Sequence, residues 1–238
     1  MAIVIARALR DGDVLVMGTN AAIPLAAART AQGLHAPRVT VMIGAHGTID
    51  PTAGVAPLSG GDEAFLGGRF TTSLASGVGD QLRGLADVIF LGALQVDRVG
   101  RCNLAVIGDH ARPLLRGPGT VGLSLIATVK RTIMFFTRHD RRMFVEAVDF
   151  LGAEGLRADG GGIELIVTPL AVLGPTPGRD RLDVVTIHPP VSFEELQDRT
   201  GFALDRAAAT TTPEPSAREL AALRATTAGT ALAGMVLE

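Results

Sequence analysis

Residues 112–150 read RPLLRGPGTVGLSLIATVKRTIMFFTRHDRRMFVEAVDF. The stretch opens on a glycine-rich loop, GPGTVG, with Gly117, Gly119 and Gly122. An apolar run from Thr132 to Thr137 follows, then a charged turn from Arg138 to Arg142, then Phe144, Val145 and Val148. The order is loop, strand or short helix, strand, tight turn, strand. Glycine lets a backbone turn sharply and approach a ligand closely. Exposed N–H groups in such a loop can cradle an anion or an oxyanion.

Working outward, Met1–Leu9 reads as a short helix and Val14–Gly18 as a buried strand. Thr19 and Asn20 follow at that strand's C-terminal end, where ligands gather in an open parallel sheet. Asn20 is either the cap of the next helix, around Leu25–Ala31, or a ligand contact. Val39–Ile43 is a second strand. Thr48–Gly79, rich in Gly, Ser, Thr and Pro, reads as an extended loop with one helical turn at Asp62–Phe65, and loops of that length tend to be functional. Gln81–Leu85 is a short helix and Val88–Leu94 a buried strand. Gln95–Asn103 is a turn in which Asp97 and Arg98 pair, and Leu104–Gly108 is the returning strand. Glu146 and Asp149 would lie on a strand near Arg138, Arg141 and Arg142, as ion-paired structural groups. Strands occupy Ile163–Leu173 and Leu182–Ile187. Ser192 caps a helix with Glu194 and Glu195 in its first turn. Residues 206–238 are a linker and a C-terminal helix, Ala217–Thr227.

The 238 residues suffice for one large domain, and no internal repeat or domain boundary stands out, so the expectation is a single α/β domain over 1–238. Hydrophobic residues make up 47% and charged ones 19%, which suits a packed α/β protein. A net charge of -2, with neither Trp nor Tyr, gives no footprint for nucleic acid. The one cysteine, Cys102, excludes an internal disulfide and a multi-cysteine zinc site and reads as a small buried residue. No apolar stretch spans a membrane and no signal segment opens the chain, so the expected compartment is the cytoplasm.

Four blocks carry a resemblance. RPLLRGPGTVGLSL with TRHDRRMFVEAVDF is the first. LGALQVDRVGRCNLAVIGD (91–109) is the second, with Gln95, Val96, Asp97, Gly100 and Asn103 matching. VVTIHPPVSFEELQDRTGF (184–202) and GTNAAIPLAAARTAQGLHAP (18–37) complete the set. In this order they resemble the beta subunit of family I CoA-transferases, of the glutaconate CoA-transferase type. The resemblance implies an open, largely parallel sheet and an enzyme active only with an alpha subunit, as heterodimer or heterotetramer. It implies a coenzyme A thioester as substrate, with no bound cofactor and no metal. Backbone contacts from Gly117, Gly119 and Thr120, together with Asn20 and Gly44, would bind it.

In that family the strand ending here at Ile43 leads to a glutamate that attacks the thioester and carries the CoA. A carboxylate there splits one transfer into two easier steps. Counting from Ala36-Pro37, its position falls on Gly44, and no Asp or Glu follows until Asp50. A subset of the family resembling ring-opening hydrolases of steroid-derived CoA thioesters also lacks it, and there the alpha chain supplies the carboxylate. The expectation is therefore water-dependent cleavage, by ring opening or thioester hydrolysis. His46 is the candidate catalytic base, since a histidine beside glycines at a strand end titrates near neutral pH. Two alternatives stand beside it: a genuine CoA-transferase with its carboxylate supplied elsewhere, and a non-catalytic stabilising subunit.

Overall fold

Short apolar runs bounded by glycines and charged turns become the strands of a computed structural model that describes residues 1–18, 20–44, 47–51, 67–73, 75–77, 79 and 84–229. The chain divides into two compact units, Met1–Phe90 with Glu214–Glu238, and Leu91–Pro213.

The first unit runs α1 (Ala2–Ala8), β1 (Val14–Met17), α2 (Ala22–Leu34), β2 (Thr40–Ile43), β3 (Thr48–Pro51), β4 (Gly68–Thr71) and β5 (Val88–Leu91). Its strands lie in the order β5-β1-β2-β3-β4. β1 is parallel to both β2 and β5, while β3 and β4 add antiparallel strands. Leu15, Met17, Val41 and Val88 are fully buried, as expected of parallel strands covered on both faces. Helix α2 buries Ala26, Ala27, Ala28 and Ala31 and packs on α1 and on the terminal helix Ala217–Thr227. Alanine forms helix at no side-chain entropy cost and leaves room for close approach. The terminal helix starts at a full capping box between Ser216 and Glu219. Arg7 donates through Nε and Nη2 to both Glu219 oxygens, at 2.6 and 2.9 Å, and this holds the Glu219 carboxyl down at about 2.

The second unit contains β6 (Gln95–Asp97), β7 (Arg101–Asn103), β8 (Val106–Gly108), β9 (Pro113–Arg116), a 3-10 helix (Val121–Ala127), β10 (Arg131–Phe135), β11 (Phe144–Val145), β12 (Ala153–Glu154), β13 (Ile163–Val167), β14 (Ala171–Pro175), β15 (Leu182–Ile187), α3 (Phe193–Arg199) and β16 (Thr210–Thr211). One layer has the order β16-β15-β14-β13-β10, with β10 parallel to β13 and β15 parallel to β16. A second sheet has the order β11-β6-β7-β12, and β8 with β9 forms a hairpin of its own. Val96, Leu123, Ile126, Met134, Phe144 and Ile163 form the centre of its core. Phe144 is fully buried. Truncating such a phenylalanine to alanine costs about 3–5 kcal/mol.

The α/β class, the parallel centre, the Ser192 cap and the terminal helix are as the sequence indicates. Some local expectations are corrected. The segment 48–79 carries the hairpin β3–β4 in place of a continuous loop, and Gln95–Asn103 is strand, turn and strand. The strand expected through Phe150 ends at Val145, and Glu146 and Ala147 are exposed. Helix α2 begins after Ala21 with no side-chain cap, so Asn20 does not cap it. The helical turn expected at 62–65 and residues 81–83 of the helix expected at 81–85 lie outside the described residues.

Candidate functional site

In the first unit the parallel pairing of β1 and β2 ends at Met17 opposite Ile43. Gly18 and Gly44 therefore leave the sheet side by side. The Gly44 N–H donates to the Met17 carbonyl at 2.8 Å, which carries the ladder one residue further. The chain then reverses: the Gly47 N–H donates to the Ile43 carbonyl at 2.8 Å, and Gly47 has φ +63°. A Cβ on Gly47 would sit 2.3 Å from the Thr72 carbonyl oxygen, so the reversal needs glycine.

Asn20 has φ +55° and is exposed. Asparagine is among the few side chains that tolerate this left-handed conformation. Residues held there cluster at ligand sites. Its amide has no hydrogen-bond partner among the described residues. Asp50, the next carboxylate in sequence after Gly44, is committed elsewhere. Its Oδ1 accepts from the Val41 N–H at 2.9 Å and its Oδ2 lies 3.9 Å from Arg69. The catalytic candidate His46 lies outside the described residues, as does Thr19.

In the second unit, Gly117 follows β9 directly. Its N–H donates to the Ala105 carbonyl at 2.8 Å. A Cβ on Gly117 would meet the Leu104 carbonyl oxygen at 2.3 Å and Leu94 Cδ1 at 2.8 Å. Gly119 differs: its φ is +90°, and the space where a Cβ would point is empty. Thr120 is exposed and precedes the 3-10 helix without a side-chain cap. The first bond across the helix start runs from the Leu123 N–H to the Thr120 carbonyl at 2.8 Å. The amides of Gly119, Thr120 and Gly122 donate to nothing among the described residues. Leu123 and Ile126, both fully buried, fix the helix behind them. Consecutive unpaired N–H groups on a fixed support are what an anion or a developing oxyanion needs.

A polar network sets the wall against which Gly117 packs. Asn103 Nδ2 donates to Gln95 Oε1 at 2.7 Å and to the Val106 carbonyl at 2.6 Å. Asn103 Oδ1 accepts from the Ala105 N–H at 2.9 Å. Gln95 Nε2 donates to Asp149 Oδ2 at 3.0 Å, and that oxygen also accepts from the Gly108 N–H at 2.8 Å. Gln95 and Asn103 are buried, so each lost partner would leave a costly unsatisfied group. The sequence singled out Gln95 and Asn103 only as matching positions, and the structure gives them a positioning role. Asp149 belongs to this network and, among the described residues, pairs with no arginine.

Asp97 is buried, and its Oδ1 accepts from the Val99 and Arg101 amides at 3.1 and 2.9 Å. Burial pushes its carboxyl up. It sets the turn as expected, but Arg98 faces Asp183, at 3.7 Å. His139 is buried and stacks on Phe144 at 4.0 Å. Its Nδ1 lies 3.0 Å from Thr168 Oγ1 and its Nε2 3.0 Å from Thr200 Oγ1. Burial pushes it down to about 4, so the ring is neutral near pH 7. A neutral ring donates from one nitrogen and accepts at the other. His188 is half-buried, with Nδ1 2.7 Å from Thr212 Oγ1. Burial lowers its pKa too. Both are structural. Cys102 is fully buried, and desolvation pushes its thiol up to about 12. Among the described residues no group of His, Cys, Asp and Glu could hold a metal ion, and no helix is long and apolar enough to cross a membrane.

Residues 1–198 match the family model described as Coenzyme A transferase. The chain belongs to the coenzyme A transferase family. Within it, the chain is similar to the B subunit of 3-oxoadipate CoA-transferase from Pseudomonas knackmussii, at 34% identity over 98% of this chain and 94% of that protein. It is similar to the B subunit of glutaconate CoA-transferase from Acidaminococcus fermentans, at 28% identity over 92% and 88%. A shorter match, 30% identical over 58% of each chain, is to the cholesterol ring-cleaving hydrolase IpdB subunit of Mycobacterium tuberculosis. Among solved structures, the decarboxylase AibA/AibB aligns with a TM-score of 0.82 at 28% identity, over 94% of this chain and 91% of that one.

Proposed function

We propose that this chain is the beta subunit of a heteromeric enzyme, paired with a CoA-transferase-like alpha subunit, that cleaves an acyl-CoA thioester substrate with water. One observation carries the reading: the strand end that follows Ile43 holds Gly44, tied to Met17, where a covalent mechanism needs a carboxylate. Asp50 cannot substitute, since both its oxygens face β2 and Arg69. Without a protein carboxylate to form an anhydride and then a protein-bound CoA thioester, water is the available acceptor. In thioester hydrolysis the water oxygen bonds to the acyl carbon, the C–S bond breaks and the thiolate takes a proton. In ring opening the water oxygen bonds to a ring carbonyl carbon, and the adjacent C–C bond breaks to leave a thioester enolate, which is then protonated.

Both routes place negative charge on the oxygen of the thioester carbonyl. The free amides of Gly119, Thr120 and Gly122 suit that charge, and one such donor is worth about a hundredfold or more in rate. Asn20 and Gly44 are further positions proposed to contact substrate, and His46, two residues beyond Gly44 in sequence, is proposed to activate water. The hydrolase and decarboxylase names of two relatives support non-transfer chemistry on this fold. The 34% identity to a transferase subunit favours the second reading, CoA transfer between carboxylic acids.

Mass spectrometry of products from the alpha–beta complex in oxygen-labelled water separates the two. Water-dependent cleavage puts one label into the new carboxylate with no second acid present. A requirement for an acceptor acid, with ping-pong exchange, would sink the proposal in favour of transfer.

A further inference from the structure

We infer that the β8–β9 hairpin, Val106–Gly108 and Pro113–Arg116, is the seat of the alpha subunit, through Leu114 and Leu115. The inference rests on the heteromeric reading above and adds the place of contact. A two-stranded hairpin standing alone is marginal in water, and among the described residues no further strand pairs with either of its edges. Leu114 is the most exposed large apolar residue among those described, at 86%, and its chain neighbour Leu115 is also exposed, at 44%.

The exposure is built in. Ile107 pairs with Leu115 and Gly108 with Pro113, so Leu114 is the extra residue of a β-bulge. A bulge re-aims the side chain it carries. Gly108, at φ +83°, lies across from it, and a Cβ there would sit 3.1 Å from Leu114 Cγ. The hairpin is nonetheless held firmly at its turn. Asp149 accepts from the Gly108 N–H at 2.8 Å, and His110 stacks on Phe150 at 5.6 Å. Leu151, next in the chain, is 50% exposed. A fixed hairpin that presents leucines to water is a surface made to be covered.

Charge selects the occupant. Arg112 and Arg116 are exposed on the hairpin. Asp109, the one acid on it, has Oδ1 occupied by the Ala111 and Arg112 amides, at 2.8 and 3.0 Å. Across a two-fold axis a second copy of this chain would set the same arginines against each other, and like charges in an interface are strongly disfavoured. The fitting partner is a different chain with an apolar pocket rimmed by carboxylates. β9 also runs straight into Gly117, so a partner seated on the hairpin is delivered to the loop of free amides. That is where an alpha chain would need to bring its own catalytic groups.

The test is co-expression of the full chain with its cognate alpha subunit, with affinity measured by sedimentation. Leu114→Lys with Leu115→Lys is compared with Val185→Lys, an exposed apolar position on β15. The double variant is expected to bind the alpha subunit at least tenfold more weakly, with an unchanged circular dichroism spectrum and melting temperature for the isolated chain. Val185→Lys is expected to bind normally. Arg116→Glu, which leaves the leucines in place, should also weaken the complex. Unchanged affinity in the double variant overturns the hairpin as the seat while leaving the heteromeric enzyme standing. A wild-type chain that binds no alpha subunit overturns both. Self-association that the double variant abolishes assigns the patch to a second copy and overturns the choice of partner.

Discussion

At Gly44 the chain leaves a parallel strand with its amide already given to Met17, whereas at Gly119 it leaves a hairpin with its amide free. Both places are glycine-rich strand exits. The first has no carboxylate for covalent chemistry, and the second keeps a run of donors.

Four substitutions or conditions test how far that contrast holds. Gly117→Val should do the most damage, because its Cβ would lie 2.3 Å from the Leu104 carbonyl oxygen and backbone cannot yield cheaply. We expect no turnover and a stability loss of about 3 kcal/mol or more from overpacking, read by urea denaturation. An active, stable Gly117→Val enzyme would show that the wall behind the loop is softer than the Gln95–Asn103–Asp149 network implies.

Acid should loosen the second region before the first. His139 has its pKa lowered to about 4 by burial, against 6.5 when free. Between those values the unfolded chain binds a proton that the folded one refuses, so stability is full above pH 6.5 and falls as pH drops towards 4. The loss is at most about 3 kcal/mol. Denaturation at stepped pH, with His139→Gln as the flattened control, measures it. An identical slope in the variant would remove His139 as the cause.

Gly119→Ala comes next. No atom lies in the way, but φ +90° strains an L-residue by about 1–3 kcal/mol. Relaxing that strain would turn the donors away, and we expect about a hundredfold loss of kcat in the alpha–beta complex with the complex intact. Full activity would favour the non-catalytic stabilising subunit. Asn20→Gly should move least. It relieves the φ of +55°, changing stability by less than about 1 kcal/mol, while KM for the acyl-CoA rises if the amide touches substrate. An unchanged KM would take Asn20 out of the site.

Much of the frame was readable in the sequence because it is written in local patterns. Apolar runs bounded by turn residues marked β1, β2, β5 and β15, and the end of the Thr/Pro-rich linker marked the terminal helix. What escaped depends on contacts distant in sequence. Pairing of β3 with β4 crosses a segment with no alternating pattern, as Thr48–Pro51 contains both an aspartate and a proline. The roles of Gly117 and Gly119 look alike in GPGTVG, and only Leu104 distinguishes them. Asp149 seemed an arginine partner by proximity along the chain, yet its partners are Gln95 and Gly108, residues 54 and 41 positions away.

Cys102 has a practical consequence. The chain's one thiol is sealed in the core and held protonated up to about pH 12. A protonated, inaccessible thiol neither attacks disulfides nor reports to thiol reagents. Coenzyme A set free by thioester hydrolysis would therefore meet no competing thiol on the native chain. A chromogenic disulfide could follow its release continuously, against a background contributed only by the partner.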